Sequence, residues 1–354
     1  MESNSSSRVF HIDTLRGVAI LMMLQGHFVD TFLMNEDRIG PIHAVWKFCR
    51  GLTAPVFFTT SGVIVVYLLI RKVDFNYRSI RMKKAFWRGL EVLMWGYLLR
   101  FSFWPFFFNG ELQKEFFRVD VLNCIGVGLL MLSAVFFISK HVNINVFRIF
   151  LFLIALSIFI FHPWYSVQDY TSWPPAFRNY FTLDYGSVFT LFPFLGFLLA
   201  GGFIGSLYTI LYERNKVLFV IGLAMVGVLF FNSSPIFFWL YQKTDITLFK
   251  NITTYNWFIK LGMVLLLYSI FVSAEPILAR LKTINLIGQH TLTVYILHFF
   301  VLFGSWLGLG LDDIVFDKRS LPAEAVVPGA LAFVILISWL TLKYHNWKEK
   351  RFPA

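Results

Sequence analysis

Long apolar stretches alternate with short polar ones along almost the whole chain. Many apolar stretches approach the twenty residues that an α-helix needs to cross a bilayer. The stretches are continuously apolar, whereas apolar and polar residues would alternate along the strands of a membrane barrel. The pattern predicts an all-α, polytopic transmembrane helix bundle that forms one domain over residues 1–354. We expect about ten spanning helices, at 14–34, 52–70, 88–108, 121–138, 147–162, 187–210, 217–232, 256–274, 284–309 and 326–345.

Lys and Arg residues collect in the polar segments on one side of this predicted bundle. Seven of them lie between residues 71 and 88, and four more lie in the C-terminal stretch KYHNWKEKR. Short loops rich in Lys and Arg stay on the cytoplasmic side of a membrane. The pattern therefore predicts that both termini are cytoplasmic and that long aromatic segments such as HPWYSVQDYTSWPPAFRNYF face the other side.

The composition agrees with a membrane protein, because 57% of the 354 residues are hydrophobic and only 14% are charged. A soluble domain is nearer half apolar and a quarter charged. The net charge of +11 lies mainly in loops, where it orients the chain in a membrane, so we expect lipid and not nucleic acid as a partner. The sequence contains no GxxxxGK[ST], HExxH or GxSxG motif and no Cys/His cluster, so nothing in it indicates an ATP-driven pump, a metal site or a nucleophile elbow.

Polar residues form a stripe on the first helix, within DTLRGVAILMMLQGH and just beyond it. Arg16 and His27 are eleven residues apart, which puts them on nearly one face and about 16 Å apart, and Asp30 reaches the same stripe three residues later. Ionisable groups at membrane depth are costly and point to function. His27 is a candidate general base with Asp30 fixing its tautomer, and Arg16 could hold phosphates. The alternative that His27 only bonds a neighbouring helix stays open.

A second stripe lies in the predicted ninth helix, in IGQHTLTVYILHFF. Thr291, Tyr295 and His298 follow one another at spacings of four and three, so they share one face. These side chains are candidates for binding a donor or an acceptor. The alternative reading of His298, a hydrogen bond between helices, is equally open.

A third polar group stands at the outer boundary of the predicted fourth helix, in FRVDVLNCIG. Arg118, Asp120 and Asn123 cluster there as candidate binding residues. Asn123, His298 or backbone N–H groups near a predicted kink at Pro55 could stabilise the oxyanion of an acyl transfer. The alternative is a contact between Arg118 and Asp120, or a surface ion pair.

Several of these stretches resemble known membrane-bound acyltransferases. FHIDTLRGVAILMMLQGH is similar to the opening of this group, which includes the acyltransferase-3 proteins, and the resemblance places Asp13 and Arg16 among the binding residues. The stretches LTAPVFFTTSG, RVDVLNCIGVGLL, LFPFLGFLLAGGFIG and IGQHTLTVYILHFF more closely resemble the heparan-α-glucosaminide N-acetyltransferase-like branch, in family order. The resemblance implies transfer of an acyl group, usually acetyl, from cytosolic acyl-CoA to a glycan or related acceptor across the membrane.

The resemblance leaves two histidines competing for the role of the base. The acyltransferase-3 pattern points to His27. The lysosomal relatives carry Asn at that position and a catalytic His in the following outer loop, close to the position of His43. We favour His27.

The sequence and the resemblance together predict an acyl-CoA-dependent acyltransferase of the bacterial inner membrane that modifies an extracytoplasmic envelope glycan. The large lumenal extension of the lysosomal enzymes is absent from this sequence, which favours an envelope glycan over heparan. A secondary transporter for a small polar or anionic solute would use the same buried charges as binding sites. A non-catalytic membrane scaffold is a further alternative, and the sequence leaves a homodimer open.

Overall fold

The computed structural model describes residues 9–71, 75–109, 114–138, 143–315 and 317–351. Regular structure in these ranges is helical apart from one isolated bridge between Leu33 and Leu321, so the all-α prediction is confirmed. The α-helices are α1 (Phe10–Phe32), α2 (Gly40–Arg50), α3 (Thr53–Ile70), α4 (Phe75–Leu98), α5 (Phe103–Asn109), α6 (Val121–Ile138), α7 (Ile144–Ile160), α8 (His162–Tyr165), α9 (Pro175–Arg178), α10 (Leu191–Leu207), α11 (Lys216–Phe231), α12 (Ser233–Thr244), α13 (Thr247–Tyr255), α14 (Trp257–Ser273), α15 (Glu275–Leu278), α16 (Lys282–Gln289), α17 (Thr291–Phe303), α18 (Leu311–Ile314) and α19 (Ala323–Arg351).

The predicted count of about ten spanning helices is not confirmed. Four helical stretches in the described residues are long and apolar enough to cross a membrane: Gly40–Ile70, Val121–Ile138, Leu191–Tyr212 and Ala323–Arg351. The number rises to seven if each of three bent helix pairs is one span: α11 with α12, α13 with α14, and α16 with α17. Helix α1, which carries the polar stripe, is outside this set.

The region of the predicted third helix differs most from expectation. Residues 71–88 were expected to be a loop, but α4 begins at Phe75 and includes most of their basic side chains, while residues 72–74 lie outside the described residues. The predicted helix 88–108 is in fact two helices, because α4 ends at Leu98 and α5 begins at Phe103. Hydropathy reports which residues prefer the membrane, and a helix can continue beyond it with its charges in water.

Segments between the predicted spanning helices also contain helices. Helix α2 lies between the predicted helices 14–34 and 52–70, and α12 and α13 fill most of the segment between the predicted helices 217–232 and 256–274. A kink was predicted at Pro55, but Pro55 lies in the first turn of α3, where a missing N–H costs no helical hydrogen bond. The helix therefore continues through Pro55 to Ile70. The predicted helix 284–309 is broken at His290, where α16 and α17 meet at 79°.

The chain groups into two compact units. The terminal unit contains Met1–Thr53 and Tyr268–Ala354, and the central unit contains Ala54–Leu267. The single domain over residues 1–354 stays a prediction.

Helix α1 is the centre of the terminal unit and packs against α16, α17 and α19. The contact with α16 is a backbone contact, because a Cβ at Gly17 would lie 3.2 Å from the Ile284 carbonyl carbon and one at Gly288 would lie 2.8 Å from the Asp13 carbonyl carbon. The Thr14 hydroxyl also donates to Asn285 Oδ1 at 2.5 Å in this buried contact. These contacts fix α16 against the first turns of α1, ahead of the polar stripe.

The central unit is organised around α10, which packs against α6 and α7. A Cβ at Gly62 of α3 would lie 2.7 Å from the backbone nitrogen of Gly202, so α3 and α10 also meet backbone to backbone. Helices α4 and α6 pack along much of their lengths. Small residues at such crossings allow the close approach that membrane helices use for packing.

Candidate functional site

The two predicted polar stripes meet where α1 packs against α17. At one end, Arg16 Nη2 donates to Thr291 Oγ1 at 2.7 Å. At the other end, the rings of His27 and His298 stack with centroids 5.2 Å apart and planes 23° apart. The order of residues is the same on both helices, so the helices run in the same general direction and a polar seam joins them from Arg16 to His27.

The histidine end of this seam is largely shielded from solvent. His298 is fully buried, and the ring of the buried Tyr295 lies 4.8 Å from it in an edge-to-face contact. His27 and Arg16 are half-buried, and the ring of Phe303 lies 6.1 Å from that of His27. One imidazole is therefore held inside the protein while its stacking partner keeps access to the surroundings.

Asp13 lies one turn before Arg16 and connects α1 with α16. Its side chain is buried, and its Oδ2 accepts a hydrogen bond from Gln289 Nε2 at 3.1 Å. Gln289 is the last residue of α16 and stands two residues before Thr291. The Asp13–Gln289 contact therefore helps to fix the chain at the bend that presents Thr291 to Arg16.

Asp30 lies between two arginines. Its Oδ2 forms an ion pair with Arg50 Nη1, and its Oδ1 is 3.7 Å from Arg38 Nη1. Arg38 also donates to the backbone oxygens of Asp30 at 2.7 Å and Leu33 at 3.0 Å. Sequence reasoning did not single out Arg38. The role of Asp30 as the partner that fixes the tautomer of His27 stays a prediction.

His43 lies on the face of α2 that is turned toward α1. This face carries His43, Trp46 and Arg50 at spacings of three and four. Trp46 Nε1 donates to Gln25 Oε1 of α1 at 3.1 Å, and the His43 ring is 5.2 Å from that of Trp46. The structure thus brings the helix of His43 beside the turn of α1 that carries His27.

Gly26 makes this approach of α2 possible, and sequence reasoning missed it. A Cβ at Gly26 would lie 2.7 Å from Arg50 Nε and 2.9 Å from Arg50 Cδ. The arginine side chain therefore crosses α1 at the residue before His27 on its way to Asp30. A glycine inside an otherwise regular helical pattern was the available signal.

The other predicted residues, Arg118, Asp120 and Asn123, lie in the central unit at the start of α6. Arg100 Nη2 donates to Asp120 Oδ2 at 2.6 Å, and Arg118 Nη1 donates to Glu115 Oε2 at 2.7 Å. Asp120 is thus paired with an arginine that follows α4, and Arg118 is paired with a glutamate three residues before it.

Asp120 and Asn123 also cap the N-terminus of α6. The backbone N–H of Asp120 donates to Asn123 Oδ1 at 3.1 Å, and the backbone N–H of Val121 donates to Asp120 Oδ1 at 2.7 Å. Side-chain acceptors of this kind satisfy backbone donors that a helix start leaves unpaired. The geometry supports a structural role for both residues, while their predicted binding role stays a prediction.

A tyrosine pair lies close to this cap. The hydroxyls of Tyr97 and Tyr180 are 2.8 Å apart and share a hydrogen bond. Burial raises the pKa of Tyr180, so its hydroxyl keeps its proton and can donate.

The described residues hold no group of three or more His, Cys, Asp or Glu side chains suited to a metal ion.

Comparison with known families gives one match. The family model described as heparan-α-glucosaminide N-acetyltransferase, catalytic, matches residues 8–243, about two thirds of the chain. No curated protein matches the chain. The matched range contains His27, His43 and the start of α6, whereas α16 and α17 lie beyond it.

Proposed function

This chain belongs to the heparan-α-glucosaminide N-acetyltransferase catalytic family, and from that premise we propose that it moves acetyl groups from cytosolic acetyl-CoA to an extracytoplasmic glycan. Its apolar helices and its family make it an integral membrane acetyltransferase. We further propose that the donor is an acyl-CoA, that the acceptor is an envelope glycan and that the membrane is the bacterial inner membrane.

The observation that carries this proposal is the polar seam between α1 and α17. Its arginine end suits the phosphates of a CoA donor, because a guanidinium binds phosphate oxygens in a planar, bidentate manner. The imidazole end, at His27, lies eleven residues beyond Arg16 along α1, which is about 16 Å. The long pantetheine arm of CoA separates the phosphates from the thioester in the same sense, which would bring the thioester toward His27.

The chemistry needs a base at the thioester. We assign it to His27, whose imidazole would take the proton from an acceptor amine or hydroxyl as that nitrogen or oxygen attacks the thioester carbonyl carbon. The C–S bond then breaks, and the CoA sulfur takes the proton back from the imidazolium. An acyl-histidine formed on His27 and then attacked by the acceptor is the two-step version of the same transfer.

His298 and His43 have distinct places in this scheme. The buried His298 stacks on His27 and would restrict the orientation of its ring. His43 is the competing base, and its helix reaches α1 through Trp46 and Arg50. The basic N-terminal half of α4 would face the cytosol and attract the negatively charged donor, in keeping with both termini on that side.

The test is acetyl transfer by purified full-length protein, measured as release of the CoA thiol with and without a glucosamine-terminated oligosaccharide. His27→Ala should lower the rate at least about a hundredfold, the low end for loss of a general base. Lys343→Ala is the control for a substitution outside the seam, since the exposed Lys343 contacts the Trp339 ring on α19.

The alternatives predict different results in the same assay. Full activity of His27→Ala with loss of activity in His43→Ala would move the base to His43. Absence of any acceptor-dependent CoA release from folded protein would overturn the enzymatic proposal. Solute uptake into proteoliposomes would then favour a secondary transporter, and a purely structural effect of His27→Ala would favour a scaffold.

A further inference from the structure

A separate cluster of aromatic and basic side chains lies in the central unit, where α8 meets the end of α13 and the start of α14. We call it the His162 cluster, and it consists of His162, Tyr255, Trp257 and Lys260. The ring of His162 lies 4.3 Å from that of Tyr255 and 5.3 Å from that of Trp257. The Lys260 ammonium lies 4.1 Å from the centroid of the Trp257 ring.

The aromatic surroundings of the cluster are fixed by hydrogen bonds of their own. The Ser166 hydroxyl donates to the Tyr255 hydroxyl at 3.3 Å. The Tyr165 hydroxyl, whose ring lies 5.1 Å from that of His162, donates to the Ile158 carbonyl at 3.0 Å. These bonds hold the tyrosine rings in place, so the cluster is built before any ligand arrives.

In the described part of the chain, two buried atoms of this cluster have no hydrogen-bond partner, and its ammonium has no ion pair. His162 Nδ1 and Trp257 Nε1 are buried atoms without a hydrogen bond. His162 itself is only 7% exposed. Lys260 is half-buried, and in the described residues its ammonium contacts the Trp257 ring and forms no ion pair with a carboxylate. Buried polar groups are normally paired, so each of these calls for an explanation.

The charge of the cluster narrows the choice of ligand. Burial, and secondly the charge of Lys260, lower the pKa of His162 to about 4. The imidazole is therefore neutral near pH 7, and the ammonium supplies the positive charge. Lys260 and Trp257 offer N–H donors, and a neutral imidazole can either donate or accept.

We propose that the His162 cluster is a binding site for an oxyanion, a phosphate or carboxylate, held by the Lys260 ammonium and the Trp257 N–H with His162 beside them. Oxygen acceptors with negative charge match these donors, and a charge-assisted hydrogen bond compensates a half-buried ammonium. The phosphate of a membrane lipid and the acidic group of a sugar are two sources of this chemistry. The site does not depend on the proposed acetyl transfer.

The experiment measures ligand binding to purified full-length protein in detergent by native mass spectrometry. One arm compares phosphatidylglycerol with a diacylglycerol of the same acyl chains, and the other compares glucuronic acid with glucose. Lys260→Met should weaken binding of the anionic member of the preferred pair about tenfold or more, as expected for loss of a hydrogen bond to a charged group. Lys343→Met is the matched control, because the ammonium of Lys343, an exposed residue of α19, also lies 4.1 Å from the centroid of a tryptophan ring, that of Trp339.

The outcomes separate the two sources. A preference for phosphatidylglycerol that is lost in Lys260→Met and kept in Lys343→Met identifies a lipid phosphate, and the same result for glucuronic acid identifies an acidic sugar. Trp257→Phe keeps the ring but removes the N–H, so it tests the site if Lys260→Met does not fold. Equal binding of the anionic and neutral members by wild-type protein, or unchanged binding in the folded variants, would overturn the proposal.

Discussion

Gly288→Ala should destabilise the protein, because Gly288 lies where α16 and α1 meet backbone to backbone. The new Cβ would lie 2.8 Å from the Asp13 carbonyl carbon and 2.9 Å from the Gly17 nitrogen, and still closer to the Asp13 oxygen. Real Cβ atoms essentially never come within 3.0 Å of such atoms. A backbone cannot rotate away as a side chain can, so the two helices have to separate.

The size of the effect follows from two opposing contributions. Overpacking of a tight contact costs about 1–3 kcal/mol. Alanine inside a helix gains about 0.5–1 kcal/mol over glycine. The contact here is with main-chain atoms on two residues, which favours the upper part of the first range, so the net change should lower the free energy of unfolding by about 1–2 kcal/mol.

Gly222→Ala is the matched control. Gly222 lies in α11, and a Cβ there would meet no atom of the described residues within 4 Å, so only the helix-propensity gain applies and the change should be neutral or stabilising. The measurement is the melting temperature of the two variants and the wild-type protein in the same detergent, from the fraction that remains monodisperse after heating. Gly288→Ala melting at or above the temperature of Gly222→Ala would refute the backbone contact between α1 and α16.

Three further predictions concern charged groups. Arg16→Lys should raise the KM for acetyl-CoA more than it lowers kcat, because lysine cannot provide the planar fork that binds phosphate while contacting Thr291; steady-state kinetics check this, and an unchanged KM would argue against donor binding. Arg50→Met should lower the free energy of unfolding by about 0.2–1 kcal/mol through loss of the part-exposed pair with Asp30, and Arg50→Lys should retain some of it in the same denaturation assay. The pKa of His162 is lower in the folded protein than in the unfolded chain, so the unfolded chain takes up the proton first as the pH falls. The contribution of His162 to stability is therefore present above pH 6.5 and is lost as the pH falls toward about 4. The melting temperature of His162→Phe should depend less on pH over that interval, and the same pH dependence as in wild type would contradict the lowered pKa.

The sequence predicted the helical class and both halves of the candidate site. The spacing of Arg16 and His27, and that of Thr291 and His298, follows from local helix geometry. Because each stripe is the polar face of a helix in an apolar setting, the two faces could be identified without knowing the tertiary structure. Their meeting in one seam, through Arg16–Thr291 and His27–His298, is visible only in the structure.

The partners of Asp30 illustrate what spacing along one helix cannot reveal. The sequence suggested His27 as its neighbour, three residues away on α1. The structure adds Arg38, from the segment after α1, and Arg50, from the end of α2. Their positions depend on the path of the chain after α1 and on the space left by Gly26.

The sequence by itself determined that this is a helical membrane protein with two polar helix faces, because hydrophobicity and helical periodicity act over one or two turns of chain. The tertiary structure alone decided the bend at His290 and the pairing of α1 with α17. These features depend on contacts between residues far apart in the chain, such as Asp13 with Gln289. The spacing of residues along one helix does not indicate which distant helix it will pack against.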